Sequence, residues 1–447
     1  MNFLKKHSKA VSFFGLLLLF WGQYLVFGIT RSVDTVSFEI FSALVYPLYP
    51  AVLWIFRTLF GADRGYYLLG FFQNLLLVVS LVSLNDYIRK AFRLDGFTHG
   101  FLIVLSAMVF IAQKFLTRSG LISSNTLISE AVSIPFYLLF FRHALQAVLE
   151  QDLKAFRYSC VFATLIVLTR AQLYWVLSVV FLVRLYLSDG NGKRTLLSAV
   201  LVCAVIAGFV QGIRFVQNYT ETDVQSKAPS NLYLLTTAVY CSEREDAALF
   251  PENSPEQRLF NLTRDWMEEP DRLAAFEYET GDFTNRHKKF EASYDNVKGI
   301  LWYYYYELMA QDLLPDMSDM FVKLVLAHPD AFLIHCAQNG LTGLIRTVAI
   351  LRPGINLLAG AFYAYLILCL LISRKNENLK KERQLTCLGL VGVLLNALIM
   401  APGVFALSRY MFYNMLPMYF SAILFLRALM LEWKNRPRKE EAVCLTK

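Results

Sequence analysis

The chain carries little charge for its length. Asp, Glu, Lys and Arg make up 17% of its 447 residues, against 56% hydrophobic residues. A soluble protein of this size cannot usually bury so much apolar surface, so the composition excludes an ordinary water-soluble globule and requires stretches that face lipid. Histidine is scarce, at six residues, and His143, His287, His328 and His335 lack the spacing of metal ligands, so none is assigned a metal. The seven cysteines show no CxxC spacing and lie mostly in apolar stretches. They read as small hydrophobes, which excludes a zinc module and a disulfide framework. No repeat of fixed period is visible. Nor are there matched, interrupted spans of the kind an inverted-repeat transporter shows.

What is present is a series of apolar runs. A membrane span needs about 20 such residues. The clearest runs are Val11 to Ile29, Tyr66 to Leu84, Phe97 to Phe115, Leu127 to Val148, Leu196 to Phe215, Ile355 to Ile372, Leu385 to Val404 and Met411 to Leu431. Tyr158 to Leu187 is too long for one span and is broken by Arg170, so it predicts two short helices. The total is roughly ten spans by the hydropathy rule. The first has a long apolar core with no small-residue cleavage site after it, and is expected to stay in the protein.

The net charge of +8 is not a nucleic-acid signal. Lys5, Lys6 and Lys9, then Arg89, Lys90 and Arg93, then Lys154 and Arg157, Lys193 and Arg194, Arg374 to Arg383 and Lys434 to Lys439 fall at alternate loops. All lie on one side if both termini are cytoplasmic. The expected division is a membrane part over 1–216, an external and interfacial part over 217–350, and a membrane part with a basic tail over 351–447. The external part opens a helix at Ser254-Pro255-Glu256-Gln257. Its aromatic run Leu301 to Tyr306 is expected at the headgroup level. Ala331 to Leu351, opened by His328-Pro329-Asp330, is expected to be interfacial or partly inserted. Phe38 to Phe60, with Pro47, Pro50 and Arg57, suits two short juxtamembrane helices.

Charge at the ends of the spans supplies the candidate site. Asp34 follows the first span, where a membrane protein can hold a general base at the lipid surface. The competing reading is a helix N-cap, since Asp-Thr-Val-Ser suits a helix start. Glu39 lies five residues on and could share the role. Lys114 and Arg118 end the third span, Glu130 stands one turn inside the fourth, Arg170 breaks the fifth from the sixth, and Arg409 precedes the last. Charge at such depth is costly, and it is paired or functional. One reading is a structural pair of Glu130 with Arg118 or Arg170. The other is a cationic pocket for phosphate, whose oxygens suit the arginine fork.

Four segments then carry a resemblance: Tyr46-Pro-Leu-Tyr-Pro-Ala-Val-Leu53 running on to Leu59-Phe60-Gly61, Ser124-Asn-Thr-Leu-Ile-Ser-Glu130, Leu168-Thr-Arg-Ala-Gln172, and Ser408-Arg409-Tyr410. In this order, behind an acidic residue that follows the first span, they resemble the GT-C superfamily of polyprenyl-phosphate-dependent membrane glycosyltransferases. That group includes protein mannosyltransferases and the lipid A aminoarabinose transferase. The resemblance implies an all-α polytopic bundle of about ten spans with juxtamembrane helices and a small external helical domain. It implies a polyprenyl-phosphate sugar as donor, a hydroxyl group as acceptor, and chemistry on the outer face of the membrane. Asp34 matches the position of the base, and Glu39, five residues on, stands as the second candidate from the sequence. Lys114, Arg118, Arg170 and Arg409 would hold the donor phosphate, supported by Glu130, Tyr46, Tyr49 and Tyr410. No metal or other cofactor is assigned. Two rival readings are a multi-pass transporter or flippase, which would need ionisable residues near mid-membrane, and a catalytically silent scaffold whose outer part binds a partner.

Overall fold

The computed structural model describes residues 8–32, 34–40, 45–116, 121–187, 190–220, 231–269 and 283–434. Apolar segments that leave water must satisfy every backbone N–H and C=O internally, and this chain does so with helices. In order they are α1 (Ser8–Phe27), α2 (Thr35–Glu39), α3 (Leu48–Phe60), α4 (Ala62–Ala91), α5 (Gly96–Ile111), α6 (Gln113–Leu116), α7 (Glu130–Glu150), α8 (Leu153–Val167), α9 (Trp175–Tyr186) and α10 (Gly192–Thr220). There follow α11 (Leu232–Tyr240), α12 (Pro255–Met267), α13 (Phe283–Met309), α14 (Met317–Ala327), α15 (Pro329–Val348), α16 (Pro353–Ile372), α17 (Lys380–Met400), α18 (Ser408–Met411) and α19 (Met415–Lys434). Among the described residues there are also two short strands, β1 (Thr30–Arg31) and β2 (Thr126–Leu127), paired in parallel.

Among the described residues, eight helices are long and apolar enough to cross a membrane, so the chain is an all-α, multi-pass membrane protein. The count from sequence was about ten. The difference lies in α8 and α9, which are 15 and 12 residues long, or roughly 22 and 18 Å at 1.5 Å per residue. Each is shorter than the ~30 Å hydrocarbon core. They are the two short helices expected from the break at Arg170, and they pack inside the bundle. The centre of the bundle is α7, which is buried on most of its faces and packs against α4, α8, α9 and α17. In α10 and α16, by contrast, only 17% of the apolar window is covered by protein, so these two face lipid. α1 lies close on α4 because position 70 is glycine: a Cβ there would stand 2.3 Å from the Tyr24 ring. Gly28, at φ +68°, ends α1 and turns the chain into β1, a left-handed conformation that costs glycine little.

The helices α11 to α14 have a core of their own, built on Leu235, Val239, Phe250, Leu259, Phe260, Met320 and Leu324. Ser254 caps α12 by accepting from the Gln257 N–H at 3.1 Å, with Pro255 at the first helical position. The aromatic run lies in α13. Trp302, Tyr304 and Tyr305 pack against that separate core and Tyr303 is exposed. α10 continues to Thr220, beyond the expected boundary at 216. α14 and α15 meet at a 98° bend at His328, whose Nε2 lies 2.7 Å from Asp246, so the pair is no straight crossing. Arg118, Lys5, Lys6 and residues 435–439 lie outside the described residues.

The alternation of basic clusters predicts which end is which. Cysteines introduced singly over 231–320 should react with an impermeant thiol reagent from outside, and those over 374–383 only after the membrane is opened. Labelling of both sets from one side would refute the orientation.

Candidate active site

The two strands bring the site together. Thr30 pairs with Thr126 and Arg31 with Leu127, and the Thr30 and Thr126 hydroxyls meet at 2.8 Å, 96 residues apart in sequence. Asp34 and Glu130 each lie three residues beyond the end of their strand, at the same offset, so the ladder delivers both carboxylates to one place. Thr35 fixes the turn by donating to the Leu127 carbonyl at 3.0 Å. Behind the ladder a buried amide cluster ties α1, α4 and the 121–129 segment. Asn125 Oδ1 accepts from Gln23 at 2.8 Å and from Asn74 at 3.0 Å, and Asn125 Nδ2 donates to Gln23 Oε1 at 2.9 Å.

Glu130 is the first residue of α7, one turn earlier in the helix than its expected place, because Thr126 and Leu127 are taken by β2. Its side chain is 1% exposed and forms an ion pair with Arg170. Ser129 donates to its second oxygen at 3.2 Å. Arg170 has extended backbone between α8 and the short 3-10 turn Ala171–Tyr174, and the start of α3 is held to this break by the Leu48 N–H donating to the Leu168 carbonyl at 3.1 Å. The buried guanidinium is compensated by the Glu130 carboxylate.

Arg409, in α18, stands between the two carboxylates, 3.6 Å from Asp34 and 3.7 Å from Glu130. Those distances are ion pairs without hydrogen bonds, and Arg409 Nε has no hydrogen-bond partner among the described residues. The Arg170 and Arg409 guanidinium groups lie 4.7 and 4.9 Å from the centre of the Tyr410 ring, and Arg409 donates to the Tyr410 hydroxyl at 2.9 Å. Beneath them the Ser133 and Tyr413 hydroxyls meet at 2.6 Å, and Tyr137 donates to Asn414. From α11, in the distal helical segment α11 to α14, Tyr233 comes within electrostatic reach of Asp34, Arg170 and Tyr410. Lys298 stands 5.6 Å from the Tyr233 ring centre and 2.8 Å from Asp295.

Asp34 occupies the N-cap position of α2, yet its side chain makes no capping hydrogen bond. It faces Arg409 instead and keeps 41% of its side-chain surface open. The structure therefore brings together Asp34, Glu130, Arg170, Arg409 and Tyr410. It places the other candidates elsewhere. Glu39 accepts from the Tyr66 hydroxyl at 2.6 Å and pairs with Arg31 at 3.1 Å. Lys114 lies 3.5 Å from the centre of the Phe27 ring. Tyr49 is buried and accepts from Gln73 at 2.9 Å, and Tyr46 lies under Arg214. Tyr233, Lys298, Ser133 and Tyr413 were missed, because each sits in a sequence context that gives no local signal.

No family model and no curated protein matches the chain. Among solved structures it is similar to ArnT from Cupriavidus metallidurans in the apo state, at 14% identity over 92% of this chain and 77% of that one, with a TM-score of 0.30. It is likewise similar to ArnT from the same organism bound to undecaprenyl phosphate, at 14% identity over 95% and 78%, with a TM-score of 0.32. The likeness is distant, and the chemistry of the site is read from its own side chains.

Removing one member of the buried pair leaves the other charge uncompensated. Glu130→Gln should therefore destabilise the protein by roughly 3 kcal/mol, visible as a lower thermal midpoint in detergent. An unchanged midpoint would show that water already reaches Arg170.

Proposed function

We propose that the chain is a glycosyltransferase of GT-C type. It moves a sugar from a polyprenyl-phosphate donor to a hydroxyl acceptor at the outer face of the cell membrane. The observation that carries this reading is the meeting of one open carboxylate, Asp34, with an arginine that is paired but not hydrogen-bonded to it. The four charges of Asp34, Glu130, Arg170 and Arg409 balance. An arriving phosphate competes for Arg409, whose guanidinium can exchange a 3.6 Å ion pair with Asp34 for charge-assisted hydrogen bonds to phosphate oxygens. That exchange frees Asp34. Glu130 and Arg170, already joined, hold the place of Arg409 through the exchange.

In the reaction the acceptor oxygen attacks the anomeric carbon, the bond from that carbon to the phosphate oxygen breaks, and Asp34 takes the hydroxyl proton. Attack opposite the leaving group inverts the anomeric centre. The leaving polyprenyl phosphate gains a negative charge, which Arg409 and Arg170 stabilise. A groove of about 770 Å³ lined by Pro47, Gly208, Phe209, Gly212, Ile213 and Val216 suits a prenyl chain. Its Pro47 edge adjoins Leu48, which is bonded to the break two residues before Arg170.

The test is Asp34→Asn, which keeps shape and loses the base. Transfer from a polyprenyl-linked donor should fall at least about a hundredfold, a loss of ~3 kcal/mol in the chemical step, with donor binding retained. Asp34 makes no cap hydrogen bond and faces Arg409, so its structural alternative is the ion pair. Loss of that pair alone lowers the thermal midpoint together with activity, whereas loss of the base lowers transfer and leaves the midpoint in place. Loss only in Glu39→Gln would move the base to that residue.

A further inference from the structure

Arg409 is delivered by the turn 401–407, which connects α17 to α18 and is held by side chains from other elements. Asn339 of α15 donates to the carbonyls of Ala401 at 3.0 Å and Val404 at 2.8 Å, and accepts from the Ala406 N–H at 2.9 Å. Arg346, two turns along α15, donates to the Ala406 carbonyl at 2.9 Å. A third tether comes from α13. The Tyr294 side chain is fully buried, its hydroxyl lies 2.5 Å from the Gly403 carbonyl and 3.2 Å from that of Tyr233, and its ring meets Phe405 edge to face at 5.3 Å. The hydroxyl has one proton, and the shorter contact is the one to the turn.

We infer that Tyr294 is a positioning residue for the arginine cluster: it ties the distal helical segment to the turn that carries Arg409. This rests on the proposed role of Arg409 toward phosphate, but the tether itself can be tested without that role. The geometry makes the cluster sensitive to the turn. Arg409 sits 3.6 and 3.7 Å from its two carboxylates, so a displacement of about 1 Å takes it out of reach of one of them, and misplacement on that scale can cost a hundredfold in rate. Asn339 and Arg346 fix the turn to α15, which packs directly on this region through Gly343, 3.2 Å from the Met411 side chain at the position of a Cβ. Tyr294 adds the link to α13, the helix that also bears Lys298. The position of the distal segment thereby bears on the phosphate ligand.

The experiment compares full-length wild type, Tyr294→Phe, Arg409→Gln and the double variant in detergent. Amide hydrogen exchange over 401–411 reads the tether, and binding of undecaprenyl phosphate reads the cluster. Tyr294→Phe should speed exchange in 401–411 while leaving 121–134 unchanged. It should weaken lipid binding roughly three- to tenfold, the range for losing one hydrogen bond, and have no further effect once Arg409 is Gln. Unchanged exchange in 401–411 overturns the inference, and so does an equal loss of binding in the Arg409→Gln background. Absence of lipid binding by the wild type would instead remove the proposed function, and the exchange result would then decide alone whether Tyr294 holds the turn.

Discussion

The ion pair of Glu130 and Arg170 is the constraint around which this end of the bundle is built. Taking a carboxylate and a guanidinium out of water costs several kcal/mol each, and only close geometry with further hydrogen bonds offsets it. Arg170 can reach the head of α7 only because the chain breaks helix between α8 and α9. The two shortened helices are the structural consequence of that contact. Glu130 can meet it only as the first residue of α7, which the β1–β2 pairing enforces. One buried contact thus joins the break at Arg170, the head of α7 and the two-residue ladder beyond which Asp34 also lies.

Around this pair the other charges are held less firmly, and the contrast is chemical. Arg170 is paired closely with one carboxylate, Glu130. Arg409 is shared between two carboxylates without a hydrogen bond to either, beside a tyrosine ring that both arginines touch. A site that is neutral when empty avoids a large self-repulsion, yet one of its cations can change partner without breaking a buried contact. Asp34, at the rim, exchanges ion pairing for exposure at little cost, since half-exposed pairs contribute small energies.

Much of this was legible in the sequence, for identifiable reasons. Apolar length and basic alternation are long-range, repeated signals, and they marked the spans, including the break at Arg170. The end charges were legible because charge in an apolar context is conspicuous, so Asp34, Glu130, Arg170 and Arg409 stood out. Their meeting was not. Lys114 and Glu39 have the same local appearance as Arg409 and Asp34, and only packing sends the former pair to Phe27 and Tyr66 and the latter pair to each other. Glu130 was placed a turn too deep because Thr126 and Leu127 continue an apolar run and nothing nearby marks them as strand. Tyr233, Tyr294 and Lys298 belong to a polar stretch crowded with similar residues, where tertiary contact alone sets them apart.

The ladder between β1 and β2 has a consequence for how such a protein is made. Its partners are 96 residues apart, and membrane chains are synthesised from the N-terminus. The segment bearing Asp34 therefore leaves the ribosome with nothing to pair to until the third span has passed and the head of the fourth emerges. Arg170 arrives later still. Arg409, behind the 401–407 turn, arrives after all three of the others. Assembly of the cluster consequently waits for Arg409, and a nascent chain can insert several spans while the Asp34 carboxylate still lacks the cation that will face it.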